Sequence, residues 1–243
     1  MPREWLLAEA FDRAAPTYDA MVALSPGYHE QLRCAAAALV EDLPERDGRA
    51  PVVLDLGCGS GASTRALLET RADDGGGPLE VTGVDASTGM VTEALAKGWP
   101  EGVWFTVADA VEHLGGLPDA SVDGVLAAYL LRNVPERQAL VEEVARVLRP
   151  GGVLVVHDYS VAGSVRARAV WAAVCHTVII PLAALKRSDV PLHRYLYTSV
   201  RDFDSVAQVC RRLQRAGLVD VRHRSYPGWQ DGVVHTVVGR RAP

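Results

Sequence analysis

The chain has 243 residues, 49% of them hydrophobic, about the size of one α/β domain and enough to bury a full core. Its formal net charge of −5 argues against a protein built to bind nucleic acid. Four cysteines, Cys34, Cys58, Cys175 and Cys210, are scattered without metal-ligand spacing, which fits free thiols in a reducing cytosol and no metal site.

The first 45 residues read as helical. MPREWLLAEAFDRAAPTYD carries charges throughout and lacks the apolar core of a signal peptide. HEQLRCAAAALVEDL, residues 29–43, repeats apolar positions at helical spacing and is rich in alanine. Residues 52–56 form an apolar run without polar alternation, as in a parallel strand buried on both faces. A helix is expected over 62–70, a loop over 71–78 (RADDGGGP) and a second strand over 80–87. Next come a helix over 90–97, a strand over 103–110 and a strand over 122–131. ERQALVEEVARVLRPGG, residues 136–152, reads as an amphipathic helix ending at Pro150, and 153–160 as the fifth strand. This alternation predicts a doubly wound, mostly parallel α/β sheet.

Residues 169–185, AVWAAVCHTVIIPLAAL, are apolar between Arg166 and Arg168 on one side and Lys186 and Arg187 on the other. The stretch is short for a spanning helix, which needs about 20 apolar residues, and it contains His176 and Pro181. It reads as a buried or lid helix over an apolar pocket, with contact to a membrane surface left open. A helix near 204–216 and β-like runs at 219–223 and 233–238 complete the chain. The late basic residues Arg211, Arg212, Arg215, Arg222 and Arg224 read as a solvated helix face.

The chemistry concentrates in VVLDLGCGSG, residues 52–61. Gly57, Gly59, Ser60 and Gly61 form a glycine-rich turn that also fits a dinucleotide fingerprint. Asp55, two residues ahead of it, would repel a pyrophosphate and attract a cationic ligand. S-adenosylmethionine (SAM) carries a sulfonium and an ammonium and no phosphate, and the glycines would let the backbone approach its amino-acid part. Asp85, with Ala86 beside it, ends the second strand where an acid can accept from both ribose hydroxyls. Asp109 ends the third strand and can accept from an adenine amino group, with the Ala110 amide adjacent. The competing reading is that these acids only cap helices.

VLDLGCGSG, VTGVDAS, VADA and VLRPGG resemble the class I SAM-dependent methyltransferases. FDRAAPTYD (11–19), LSPGYHEQLR (24–33), LLRNV (130–134), RVLRPGGVLVVHDYS (146–160) and YLYTSVRDF (195–203) are similar to motifs of the ubiquinone/menaquinone-biosynthesis C-methyltransferases along nearly the whole chain. The resemblance implies one Rossmann-like domain over 1–243. It would comprise a helical lid (1–45), a SAM-binding core (51–160), an apolar substrate-side insertion (161–203) and a C-terminal helix with strands (204–243). It implies a C-methyltransferase acting on an apolar, quinol-like acceptor. The chain departs from the family at its substrate end. YPGWQDGVVHTVVG, residues 226–239, replaces the closing motif, Leu130 stands for a glycine, and Ala128 for a serine that contacts SAM.

By the resemblance, Arg132 holds or activates the acceptor hydroxyl; the alternative is a salt bridge or helix cap with Asn133. His157, ending the fifth strand beside Asp158, is the rival base, since histidine titrates near neutral pH; the resemblance favours a satisfied structural histidine instead, because the family does not depend on a histidine there. His193 and His235 are weaker candidates. Tyr18 and Phe11 read as part of a lid over the cofactor or as ordinary helix packing. Three other functions stay open. They are O- or C-methylation of an aromatic or polyketide metabolite, SAM binding without transfer, and NAD-dependent oxidoreduction, against which Asp55 argues. A cytoplasmic protein, a small or lipid-like acceptor, peripheral membrane contact and a homodimer are all compatible with the sequence.

Overall fold

The computed structural model describes residues 4–23, 27–45, 48–181 and 190–243, the side chains of 4–6, 190 and 193 excepted. The side chain of His193, residues 24–26 of the LSPGYHEQLR motif, the end of the apolar stretch at 182–185, and Lys186 and Arg187 therefore lie outside the description. Among the described residues, seven strands form one sheet in the order β3-β2-β1-β4-β5-β7-β6. Its parallel part is β1 (Val52–Leu56), β2 (Glu80–Asp85), β3 (Val103–Val107), β4 (Val122–Ala128) and β5 (Leu148–Tyr159). β7 (Val234–Arg241) runs antiparallel to β5, and β6 (Leu218–Ser225) antiparallel to β7. The strand order reverses between β1 and β4, and in such sheets ligands bind outside the carboxyl ends of the strands at that point.

Strand alternation divides the core. Val53 faces a cluster built with Leu32, Leu39 and Leu67 of α2 (Tyr28–Asp42) and α3 (Ala62–Asp73). Leu54 and Leu56 face the opposite cluster. It holds Leu114 of α5 (Ala110–Gly115), Leu140 and Val144 of α6 (Arg137–Val147), and Leu213. Asp55 is thereby turned toward the α3 side, fully buried.

Several predicted boundaries move for identifiable reasons. α3 continues to Asp73, because its stop is the left-handed Gly75 and not the charged residues before it; Arg71 is buried and pairs with Glu45 at 2.8 Å. β3 ends at Val107, and Asp109 starts the short helix α5 that the sequence reading missed. β4 ends at Ala128, because Tyr129 takes φ 58° and residues Leu131–Asn133 form a 3-10 turn. α6 stops at Val147, three residues short of Pro150, because Leu148 is already extended and pairs with Val122 as the first residue of β5.

α1 (Glu4–Val22) packs on α4 (Thr88–Leu95), where Gly89 permits close approach: a Cβ there would stand 3.0 Å from Asp12 Cα. The late apolar stretch forms α7 (Val165–Val174), which runs into a π-helical turn, Cys175–Ile179. It buries Trp171 and Cys175 and exposes Val165 and Val178. α8 (Val190–Arg201) and α9 (Val206–Arg215), the latter opened by a Ser205–Gln208 capping box, follow it. No helix among the described residues is long and apolar enough to cross a membrane. The late basic residues are not simply a solvated face: Arg212 pairs with Asp204 at 2.6 Å, Arg224 with Glu41 at 3.5 Å, and Arg222 with Asp42, which also holds Arg240 at 2.7 Å.

Candidate active site

The turn after β1 is set by its own backbone. The Gly57 and Cys58 amides donate to the Val84 carbonyl at 2.7 and 3.1 Å, and Gly57, Gly59 and Gly61 all take positive φ. Asp85, at the end of β2, accepts from the Gly59 amide at 2.8 Å and from Ser87 N at 2.9 Å. It therefore ties the turn to the neighbouring strand end while presenting its carboxylate to the same space. Burial raises its pKa, and the two amides act against that rise. Asp55 lies beneath the turn, where Ser63 and Thr64 donate to its Oδ2 at 2.7 and 2.5 Å. Its Oδ1 is buried with no partner, and burial pushes the carboxyl up to about 6. An unpartnered buried carboxylate oxygen is costly, and a cationic ligand would relieve that cost.

One cavity above the turn is lined by Gly57, Gly59, Ser60, Asp85, Ala86, Asp109, Ala110, Tyr18 and Arg132. Asp55 and Gly61 do not line it: Asp55 supports the turn from below, and Gly61 accommodates Trp99, whose Cζ2 would stand 2.7 Å from a Cβ there. Asp109 combines two roles. Its Oδ1 caps α5 through Val111 N at 2.8 Å and Glu112 N at 3.1 Å, and the residue also borders the cavity.

α1 closes the cavity from above with Leu7, Ala8, Phe11 and Tyr18. Two carboxylates seven residues apart hold it down. Asp12 accepts from Ser87 Oγ at 2.6 Å and Gly89 N at 2.8 Å; Asp19 accepts from Ser60 Oγ and pairs with Lys97 at 2.6 Å. The i, i+7 spacing of these acids on a helix was the available signal for this docking.

The far wall is aromatic and charged. Tyr28, Tyr129 and Tyr159 stack in sequence, with centroids 5.7 and 5.2 Å apart, and the Tyr129 hydroxyl donates to Gln31 Oε1. Arg132 is buried beside them. Its Nη1 donates to Asp158 Oδ1 at 2.6 Å and to the Tyr129 carbonyl at 2.9 Å, while its Nε–H has no partner. Burial alone would lower the pKa of this arginine; the adjacent Asp158 carboxylate more than reverses that, so the guanidinium stays charged. The sequence reading missed Asp158 as its partner, although neighbouring β4 and β5 bring the two strand ends together. Tyr195 of α8 donates to Asn133 Oδ1 at 3.1 Å, which joins the late helical insertion to the same wall.

His157 stands elsewhere. It is wholly buried, its Nδ1 is 2.8 Å from Thr236 Oγ1, and the edge of its ring contact is with Tyr129 at 5.2 Å. Burial, with His235 nearby, pushes it down to about 3, so the imidazole is neutral. It does not border the cavity, and the reading of His157 as the acceptor-activating base gives way to this placement.

A doubly wound sheet with a glycine turn at its switch point, one acid beneath the turn and another beside it defines a Rossmann-like SAM-dependent methyltransferase. Residues 54–156 match the family model described as a methyltransferase domain. The demethylmenaquinone methyltransferase of Beutenbergia cavernae is 35% identical over 237 residues, covering 94% of this chain and 91% of that protein. The ubiquinone/menaquinone biosynthesis C-methyltransferase UbiE of Syntrophotalea carbinolica is 32% identical over 236 residues, covering 96% and 92%. The chain belongs to this ubiquinone/menaquinone-biosynthesis C-methyltransferase family, and its cofactor is SAM. A SAM-dependent methyltransferase from Archaeoglobus fulgidus shares the fold, with a TM-score of 0.60 at 16% identity over 87% of this chain and 94% of that one.

Proposed function

We propose that the protein methylates a ring carbon of an apolar, quinol-like acceptor of the demethylmenaquinol type. The observation that carries this reading is the unpartnered, buried Nε–H of Arg132 at the cofactor cavity. Loss of a hydroxyl proton to water makes the adjacent carbon of an aromatic diol nucleophilic and leaves charge on oxygen; once that carbon carries the methyl group, its own proton leaves it, the oxygen is reprotonated and the diol is restored. A fixed guanidinium N–H in a dry wall stabilises such an oxygen without reorganising. Arginine remains protonated throughout, so Arg132 orients and stabilises and does not itself take the proton.

On this reading Asp55 supplies the countercharge for the cationic end of the cofactor, Asp85 accepts from its ribose hydroxyls, and Asp109 with the Ala110 amide borders its adenine. SAM supplies an electrophilic methyl group on a sulfonium. The protein contributes alignment and exclusion of water, through α1 above and the tyrosine wall beyond. The contact of α8 with Asn133 supports assigning the late insertion to the acceptor side. An isoprenoid acceptor would be met at a membrane surface, where α7 offers exposed Val165 with Arg166 and Arg168 following it, and the π-helical turn offers exposed Val178.

The test is product analysis. The protein is incubated with methyl-labelled SAM and an isoprenylated naphthalene-1,4-diol kept reduced, and the product is analysed by mass spectrometry and NMR. Label on the ring carbon is expected. Label on oxygen alone, or no transfer to any diol of this type, contradicts the proposal.

A further inference from the structure

The motif YLYTSVRDF, residues 195–203, begins inside α8 and takes no part in the cofactor turn. Its apolar positions fasten α8 to the rest of the chain. Val200 is fully buried in a cluster with Trp171 and Cys175, and Phe203 is buried in the core cluster of Leu140 and Leu213. Trp171 Nε1 donates to the Tyr197 carbonyl at 3.3 Å, so α7 and α8 pack as one unit. Tyr195 reaches the cavity wall instead. Its hydroxyl donates to Asn133 Oδ1 at 3.1 Å, and burial raises its pKa, so it remains a protonated donor.

That bond fixes more than Asn133. An asparagine amide has one accepting end and one donating end. With Oδ1 turned to Tyr195, Nδ2 is left to donate to the Tyr129 carbonyl at 3.1 Å. The same carbonyl accepts from Arg132 Nη1 at 2.9 Å. Tyr129 holds φ 58°, a costly conformation for a bulky residue that persists only where the surroundings over-determine it. Here its amide donates to the His157 carbonyl at 2.7 Å, and its carbonyl takes the two side-chain donors. Asp158 and the Tyr129 carbonyl share Nη1 of Arg132. Without a fixed carbonyl, the guanidinium pivots about that nitrogen on Asp158 and carries its Nε–H away from the cavity.

We propose that Tyr195 is a positioning residue: its hydroxyl orients the Asn133 amide and, through the shared Tyr129 carbonyl, holds Arg132 in place for methyl transfer. Docking of the α7–α8 unit is then a condition for an ordered guanidinium. The inference rests on reading Arg132 as the group that stabilises the acceptor's charge, while the ordering of Arg132 is measurable with no acceptor present.

Tyr195→Phe removes one oxygen and leaves the ring. With arginine side chains labelled with nitrogen-15, the Arg132 Nε–H is assigned by its disappearance in Arg132→Lys, and its hydrogen exchange is followed by NMR. Exchange should be about five- to tenfold faster in Tyr195→Phe, the equilibrium effect of one lost hydrogen bond. Asn133→Ala should quicken it as well, and the double variant should go no further than Asn133→Ala alone, because Tyr195 acts through Asn133. Tyr197→Phe, the same change two residues along α8, should leave the signal unmoved. On an isoprenylated naphthalene-1,4-diol, kcat should fall about five- to tenfold in Tyr195→Phe, with the SAM dissociation constant within a few-fold. If wild type turns over no diol but the exchange responds as stated, the quinol reading fails and the positioning of Arg132 by Tyr195 stands. Three results overturn the inference. One is equal exchange of the Arg132 Nε–H in folded Tyr195→Phe and wild type. Another is full additivity of the Tyr195→Phe and Asn133→Ala effects. The third is a wild-type kcat in a Tyr195→Phe protein whose Arg132 exchange has quickened.

Discussion

Asp55 lies beneath the cofactor turn and carries the one countercharge proposed for the cationic end of SAM. Its carboxyl is fully buried, one oxygen is unpartnered, and its pKa is raised from 3.8 to about 6. A rise of that size penalises the ionised form by about 3 kcal/mol in the cofactor-free protein. The folded state therefore binds more protons than the unfolded chain between these two values, so this group's contribution to stability falls as pH rises through that window. Asp55→Asn keeps an oxygen for Ser63 and Thr64 without the charge, and should be more stable than wild type at pH 7 when cofactor is absent. Binding should show the reverse. A cationic ligand favours the carboxylate, so wild-type affinity for SAM should weaken as pH falls below 6, by roughly tenfold between pH 7 and pH 5. In Asp55→Asn the affinity at pH 7 should drop by about one to two decades, the equivalent of a lost interaction with a charged group, and its pH dependence should largely disappear. Titration calorimetry at several pH values, with thermal unfolding of both proteins, makes the measurement. A mutant that binds SAM as wild type does, or a wild-type affinity that is flat across that range, would refute the assignment of Asp55 as countercharge.

His157, held neutral with a pKa of about 3 against an ordinary 6.5, should contribute stability above pH 6.5 that is lost as pH falls toward 3. His157→Gln should flatten that acid limb in urea unfolding while turnover stays near wild type; a collapse of turnover in the folded variant would return His157 to the chemistry. Asp42→Ala removes the shared partner of Arg222 and Arg240, which fasten the β6–β7 hairpin to α2, and should cost about 2 kcal/mol, or roughly 4–8 °C in Tm. An unchanged Tm by calorimetry would show that these pairs are solvent-compensated. Asp12→Ala, by freeing α1 from Ser87 and Gly89, should speed SAM dissociation in stopped-flow by about tenfold, as expected for a lost charge-assisted contact; an unchanged rate would mean that α1 does not gate the cofactor.

The central parallel strands β1, β4 and β5 were legible because their burial on both faces leaves near-continuous apolar runs, and Val52–Leu56 came out at its observed bounds. Element ends were less so. The end of β3 depended on whether Asp109 caps a helix or ends a strand, and the end of β4 on the unusual φ of Tyr129, neither of which periodicity reports. The glycine turn and its acids form a local pattern, and most of those residues border one cavity. The aromatic and charged wall around Arg132 is assembled from distant segments. Tyr28 of α2, Tyr129 after β4, Asp158 and Tyr159 of β5 meet only through sheet order and helix packing. The Arg132–Asp158 pair could have been drawn from the adjacency of β4 and β5 in a doubly wound sheet. The bond from Tyr195 to Asn133 needed side-chain positions.

On the proposed mechanism the Arg132 Nε–H beside the cofactor cavity stabilises the charge formed on a quinol-like acceptor as a ring carbon is methylated. Arg132→Lys tests it most directly, because lysine keeps a cation for the buried Asp158 but has no guanidinium Nε–H to offer. The measurement is single-turnover methylation of an isoprenylated naphthalene-1,4-diol by wild type and variant, with SAM affinity and folding measured on the same preparations. SAM affinity should stay within a few-fold and the rate of carbon methylation should fall by about 10²–10³, since the lost interaction is made in the transition state. Carbon methylation by the folded variant at close to the wild-type rate would contradict it.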